Sequence, residues 1–279
     1  MKKFFAFAMT LVMSAAVLSG CGSTSSDNNT SSNNNTDAER TTFTVGFDAE
    51  YPPYGYMDEN GEYVGFDLDL AQEVCNRMGW ELVKQPINWD SKDMELNSGS
   101  IDCIWNGFTM TGREDAYAWS EPYVDNSIVF IVMNDSDIQS KEDLAGKTVV
   151  TQADSSALTA LTSEEDNEEN LALAASFASL EQVPDYNTAF MNLESGMADA
   201  IAVDIGVAQY QLDSRDGVFR MLEEPLSTEQ YAIGFALGNE ALRDQVQEVL
   251  NEMVEDGTFM TIAEKYSDYN LDQMVCLGK

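Results

Sequence analysis

The sequence predicts an α/β protein built on a parallel sheet, and two observations carry that expectation. Strand and helix patterns alternate from Thr42 onward, and the residues suited to binding fall just past the strand ends. In such sheets ligands sit beyond the carboxyl ends of the strands. Thr42–Phe47, TFTVGF, alternates like a strand and runs into Asp48-Ala49-Glu50-Tyr51-Pro52-Pro53-Tyr54. Two prolines forbid a continued ladder, which leaves Tyr51 and Tyr54 on a stiff loop at the strand's end. Asn60-Gly61 marks a tight hairpin turn. Leu68, Leu70, Ala71, Val74, Cys75 and Met78 follow at helical spacing, and Gly79 closes the helix. Glu81–Pro86 reads as a second strand with Trp89-Asp90 at its carboxyl end. A short helix is expected over Ser91–Leu96.

The most informative stretch runs from Ile101 to Tyr123, IDCIWNGFTMTGREDAYAWSEPY. Ile101, Cys103 and Trp105 alternate with Asp102, Ile104 and Asn106, a strand pattern that stops at Asn106-Gly107. The small-polar turn that follows, through Thr109 and Thr111 to Gly112, offers hydroxyls and free backbone N–H groups. Arg113 adds a planar fork suited to a carboxylate. A T-x-T-x-R run taken alone is more often a strand end with a surface arginine. Here no other Lys or Arg lies between Lys92 and Lys141.

Ser127–Val132 begins an apolar strand, and KEDLAGK (141–147) leads to another at Thr148–Thr151. The turn Gln152-Ala153-Asp154-Ser155-Ser156-Ala157 opens a helix near Ala157, and free N–H groups at such a start suit anions. Ser163–Asn170 is acidic and reads as an exposed loop. Asn187–Gly196 is helical, and Ala198–Asp204 is a buried strand that ends either in a solvated acid or in a site carboxylate. Another helix begins over Val207–Leu212. Tyr231–Leu237 is an apolar strand. Asn239 is placed to cap a helix over Glu240–Asp256, which buries Leu242, Val246, Val249, Leu250, Met253 and Val254 and ends at Gly257. A last helix is expected over Thr258–Tyr266.

Composition bounds the partners. Lys plus Arg number 14 against 49 Asp plus Glu, with no His, for a net charge of −35. Nucleic acid and anionic membrane surfaces would repel such a chain. Acid excess also serves as a solvated face, so it does not by itself name a cationic ligand. With no His and no clustered thiols, metal chemistry is poorly supported. At the N-terminus, Lys2-Lys3 and the apolar run Phe4–Leu18 form a leader too short to span a bilayer comfortably. It ends Leu18-Ser19-Gly20-Cys21. Gly22 to Arg40 is Ser/Asn-rich, has no large apolar residue and cannot offset the entropy of folding. A coil of that length spans on the order of 25 Å.

Two resemblances follow from these residues. Leu18–Cys21 resembles the lipobox of bacterial lipoproteins, which implies cleavage before Cys21 and acylation of its thiol. GFDAEYPPYGYMDENGEYVGFDLDLAQEV, Trp89-Asp90 and IDCIWNGFTMTGRED…WSEPY resemble the polar-amino-acid-binding proteins of bacterial ABC importers, solute-binding family 3. The resemblance runs from about Thr42 to Tyr269. It implies the type II periplasmic-binding fold: two α/β lobes, a two-strand hinge and a ligand cleft between them. The division it implies is a signal peptide at 1–20, a lipidated linker at 21–40, lobe 1 at 41–125 and 230–279, and lobe 2 at 126–229.

By the same resemblance the ligand is an amino acid. Its carboxylate meets Arg113, Thr109 and the Ser155-Ser156 turn, and its ammonium meets Asp204 with help from acceptors around Asn106 and Gly107. Tyr51 and Trp89 sandwich the side chain, though both also read as core aromatics. Asp48 and Glu50 lie where a polar or cationic side chain could be read. The family commonly has two residues between the second Thr and the Arg. Here Gly112 alone separates Thr111 from Arg113, so the loop is one residue shorter. The partners implied are a small-molecule amino acid, an ABC permease and a membrane reached through a lipid anchor, with no cofactor and a monomeric state. An enzyme reading would need a general acid beside the carboxylate clamp, and no sequence feature asks for one. A sensor reading would need a signalling segment, and none is read. The three remaining thiols, Cys75, Cys103 and Cys276, allow one disulfide and one leftover, or none; if one forms, a bond from Cys276 to the first lobe is the expected one.

Overall fold

The computed structural model describes residues 40–164 and 167–279. The expected leader, Cys21 and the linker before Arg40 lie outside the described residues. Two sheet-containing lobes make up the body. In the first, β1 (Thr42–Phe47) is followed by three short strands, β2 (Glu50–Tyr51), β3 (Gly55–Met57) and β4 (Tyr63–Val64), which form a small antiparallel sheet of their own. Then come α1 (Phe66–Met78), β5 (Glu81–Pro86), α2 (Lys92–Ser98), β6 (Cys103–Ile104) and β7 (Ala118–Trp119). Both β1 and β5 fall where the alternation placed them, because proline or a turn punctuates each end. α1 buries Phe66, Leu68, Leu70, Ala71, Val74 and Cys75 and stops at Gly79, whose left-handed backbone donates to Cys75 O.

The second lobe runs β8 (Val124–Met133), β9 (Thr148–Gln152), α3 (Ser156–Thr162), α4 (Glu168–Ser176), β10 (Ser179–Val183), α5 (Tyr186–Glu194), β11 (Ala200–Asp204), α6 (Ile205–Ser214), β12 (Phe219–Met221) and β13 (Ser227–Tyr231). The chain returns to the first sheet as β14 (Gly234–Phe235) and ends in α7 (Glu240–Glu255), α8 (Thr258–Glu264) and α9 (Leu271–Met274). The first sheet has the order β5-β1-β6-β14-β7, the second β10-β9-β11-β8-β12 with β13 also on β8. β5, β1 and β6 are parallel, as are β10, β9 and β11; β8, β13 and β14 run antiparallel to their neighbours. Each sheet is therefore mixed rather than wholly parallel. The antiparallel members are the strands that leave one lobe or return to it.

The two crossings lie side by side. Ser120 N donates to Ile233 O at 3.0 Å and Tyr123 N to Tyr231 O at 2.9 Å. Tyr231, Ala232 and Ile233 are fully buried between the lobes, which is why the apolar run there reads as one strand. It is two, with β13 on the second sheet and β14 on the first.

Other expectations need correction. The acidic run after Ser163 is not all loop: Glu168–Asn170 form the first turn of α4, where carboxylates suit the positive end of the helix. The central strand shrinks to Cys103–Ile104, and the Asp102 carboxylate takes the Thr44 N–H at 2.7 Å. Asn239 makes no side-chain cap; the Glu240 carboxylate instead accepts from Gly238 N at 3.1 Å. Cys75, Cys103 and Cys276 are all unpaired. The tail is tied to the hinge by its backbone, Cys276 N donating to Tyr123 O at 2.9 Å.

Gly107 sits where the end of β6 meets rings of both Tyr51 and the crossing residue Tyr231. Its φ is +54°, and a Cβ there would stand 3.0 Å from ring atoms of both Tyr51 and Tyr231. At Gly112 the φ is +78° but nothing lies within 4 Å. Gly107→Ala should therefore lower the thermal midpoint more than Gly112→Ala does. The positive-φ strain is common to both variants, so the expected gap of about 1–3 kcal/mol comes from the added ring contacts, read by thermal unfolding of the two variants. Equal losses would contradict the close approach.

Candidate functional site

Four strands of the two lobes end at one place. β1 delivers Asp48, β6 leads through Trp105 to Asn106 and Gly107, β9 ends at Gln152, and β11 ends at Asp204. Tyr51 of β2 joins this edge, backed by Tyr54 from the loop that follows. A narrow, nearly filled cavity lies between them, lined by Tyr51, Trp89, Gly107, Thr109, Arg113, Gln152, Ser155, Ser156 and Asp204. Asp48 and Asn106, both expected at the site, stand one step behind its wall. Asn106 Oδ1 accepts from Asp48 N at 2.9 Å, and the Asp48 carboxylate takes Glu50 N at 2.8 Å and Gln152 Nε2 at 2.6 Å. Burial pushes the Asp48 carboxyl up to about 6, against those hydrogen bonds.

Arg113 faces the cavity despite the shorter loop, because Gly112 turns with positive φ and Arg113 N closes the turn on Met110 O at 2.8 Å. Its guanidinium lies 5.4 Å over the Phe108 ring and reaches two carbonyls, Thr109 O at 3.4 Å and Asp154 O at 3.5 Å. No carboxylate pairs with it among the described residues, so its fork is available to an anion. Ser155 does a different job from the one expected of its hydroxyl. Its Oγ donates to Gln152 O at 2.8 Å and accepts from Leu158 N at 3.1 Å, capping α3. Ser156 and Thr109 both donate their hydroxyls to Glu229 Oε1, at 3.0 and 2.6 Å.

Asp204 is 2% exposed. Its Oδ1 accepts from Asn126 Nδ2 at 2.8 Å and from the Tyr231 hydroxyl. Burial raises its carboxyl above the ordinary range, while the Tyr231, Tyr51 and Asn126 donors pull the other way. Gly107 presents its backbone to the cavity wall while its N–H binds the buried Asp67 carboxylate at 2.6 Å. Burial holds Asp67 up to about 7. Tyr51 packs 5.7 Å from Tyr54 and 5.9 Å from Tyr186, and its hydroxyl meets Tyr231 OH at 3.3 Å. Trp89 stands edge-on to Phe108 at 5.4 Å, with Lys92 Nζ 5.0 Å from its ring. Both aromatics are at once core and cavity wall.

Several residues of this site were not singled out from the sequence. Glu229, Asn126 and Tyr231 come from the hinge strands, and Gln152 reaches across to Asp48. Lys92 is nearly buried and pairs with Asp154 across the cleft. Residues i and i+2 share a strand face, so β13 carries Glu229 beside Tyr231. That signal was lost because the strand was started at Tyr231. Among the described residues, no three acids or thiols converge to hold a metal, and no helix is long and apolar enough to cross a membrane.

Comparison with known proteins agrees with this geometry. Residues 43–269 match the family model of bacterial extracellular solute-binding proteins, family 3. The L-cystine-binding protein TcyA of Bacillus subtilis is 30% identical over 267 residues, which cover 93% of this chain and 95% of that one. The L-cystine-binding protein TcyJ of Escherichia coli is 28% identical over 231 residues, covering 82% and 83%. An ABC uptake transporter substrate-binding protein from Streptococcus pneumoniae, solved with histidine bound, superposes with a TM-score of 0.75 at 32% identity, covering 81% of this chain and 92% of that one. An ancestral arginine-binding protein bound to arginine gives 0.74 at 32%, covering 82% and 99%. The two lobes, paired crossings and cleft are those of the type II periplasmic-binding fold. The chain belongs to the bacterial extracellular solute-binding proteins of family 3.

Proposed function

We propose that the protein is an extracytoplasmic receptor that closes its two lobes on an α-amino acid and hands it to an ABC importer. One observation carries the reading. A guanidinium without a carboxylate partner (Arg113, first lobe) and a buried carboxylate without a cation (Asp204, second lobe) border the same small cavity. A zwitterion supplies both missing charges. The ligand carboxylate goes to Arg113 and the free N–H groups at the start of α3, and the ammonium goes to Asp204. Tyr51 and Trp89 bound the side chain. Ser155 contributes by ordering the α3 start, with Gly107 and Asn106 shaping the opposite wall. Residues 41–125 with 230–279 make one lobe and 126–229 the other. Cys21, acylated, anchors the body to the cell membrane through the linker as a monomer.

Hydrogen bonds to charged groups contribute roughly 1.5–3 kcal/mol each. A few of them, less the ordering cost, reach about −8 kcal/mol, the micromolar range. The test is a thermal-shift panel of the common amino acids plus cystine, on protein unfolded and refolded to strip ligand. Ligand at a hundred times its dissociation constant adds about 2.7 kcal/mol, a rise of roughly 5–10 °C. A flat panel would contradict the reading.

Arg113→Ala is expected to weaken binding of the ligand so found at least tenfold, about 1.4 kcal/mol or more, with an unchanged apo melting curve. Asp204→Asn should do the same. Unchanged affinity by calorimetry removes the residue from the site. Affinity should also fall on acidification. A raised Asp204 carboxyl is ionised only above its own elevated pKa, so binding weakens as the pH falls through that pKa and is already reduced above the ordinary Asp value of about 3.9. Affinity that holds down to pH 4 would show that Asp204 meets no ammonium.

A further inference from the structure

The cleft carries more negative charge than the backbone of one α-amino acid neutralises. Asp48, Asp204 and Glu229 are all buried, and none of them pairs with Lys or Arg among the described residues. Of the cations nearby, Lys92 is already engaged by Asp154. That leaves Arg113, whose fork the ligand carboxylate occupies in the reading above. An α-ammonium then satisfies Asp204, and at least one buried acid remains without a counter-charge. An uncompensated buried charge is costly.

Glu229 is the acid best placed to matter. One amide nitrogen, Asn126 Nδ2, donates at 2.8 Å both to Asp204 Oδ1 and to Glu229 Oε1. The two carboxylates thus flank a single neutral donor. The same Glu229 oxygen takes the hydroxyl protons of Thr109 and Ser156. A hydroxyl has one proton to give, so both side chains present lone pairs, not protons, to the cavity they line. Asp204, Glu229 and these two hydroxyls form a wall of acceptors. Burial and the neighbouring Asp204 charge push the Glu229 carboxyl up, as expected of a charge that the protein alone leaves unmatched.

We propose that Glu229 is a specificity-determining residue that makes the cleft prefer amino acids carrying a second cationic group on the side chain. It acts by setting Thr109 and Ser156 as acceptors and by leaving a negative charge that only such a ligand neutralises. This rests on the α-amino-acid reading of the cleft, and the test separates the two. Calorimetry on the purified, ligand-stripped protein compares L-arginine, L-lysine, L-glutamine and L-cystine, for the natural sequence and for Glu229→Gln. The natural protein is expected to bind arginine or lysine at least tenfold tighter than glutamine and cystine. Glu229→Gln should bring that ratio below threefold, chiefly by weakening the cationic ligands. If the variant fails to fold, the ratio in the natural protein still decides. A preference for glutamine or cystine overturns the proposal and leaves the amino-acid reading standing. So does a cation preference that Glu229→Gln does not change. Failure of every amino acid tested overturns both.

Discussion

Asp204 is a carboxylate held in the interior by neutral donors alone, and the arrangement of the cleft depends on it. A buried charge with no counter-ion must be hydrogen-bonded, take up a proton or meet a cation from outside. The protein supplies only the first remedy, through Asn126 of β8 and Tyr231 of β13. Those two donors lie on the strands that connect the lobes. The site acid is therefore fastened to the hinge, and any cation that relieves Asp204 acts directly on the segment about which the lobes move. Packing also converges on this spot. Tyr54 meets Tyr231 edge-on at 5.2 Å, and Tyr51 closes over the turn where Gly107 admits no side chain.

Closure is a balance of contacts made only when the lobes meet. Across the cleft, Gln152 donates to Asp48 at 2.6 Å, Asn187 bonds Glu50 and Lys92 pairs with Asp154. The Asn187–Glu50 bond lies at the exposed rim, where such pairs contribute about 0–1 kcal/mol. The Asp48 bond holds a carboxylate that burial already disfavours. A ligand that touches both lobes adds its contacts to these, and only such differential contacts can favour a closed arrangement over an open one. Arg113 and Asp204 belong to different lobes and border one cavity, so under the proposed binding mode a zwitterion gains both contacts only when the lobes meet.

The fold was largely legible because its punctuation is local. TFTVGF alternates and is stopped by a turn; Glu81–Pro86 ends in proline; Gly79 closes α1 with a left-handed residue. The mixed character of both sheets was not legible, since strand direction is settled by where the chain returns and not by any window of sequence. The acidic start of α4 read as loop because the charge run masked the LALAA pattern behind it. At the site, residues at strand ends were found by the general rule about such sheets, with the family resemblance assigning their roles. Asp48 and Asn106 were expected at the ligand; Asn106 Oδ1 holds the Asp48 backbone N–H, while the Asp48 carboxylate takes Gln152 from the other lobe. Glu229 was missed because STEQY has too little apolar alternation to declare a strand. Lys92 was missed because its partner Asp154 lies 62 residues away, and such pairings have no periodicity to reveal them.

The measurement that tests the central claim most directly is a crystal structure of the protein grown with its tightest-binding amino acid. The account predicts one ligand between the lobes, its carboxylate within hydrogen-bond distance of the Arg113 guanidinium and its α-ammonium on the Asp204 carboxylate. A ligand held by one lobe alone, or seated away from Arg113 and Asp204 with the cleft unchanged, would contradict it.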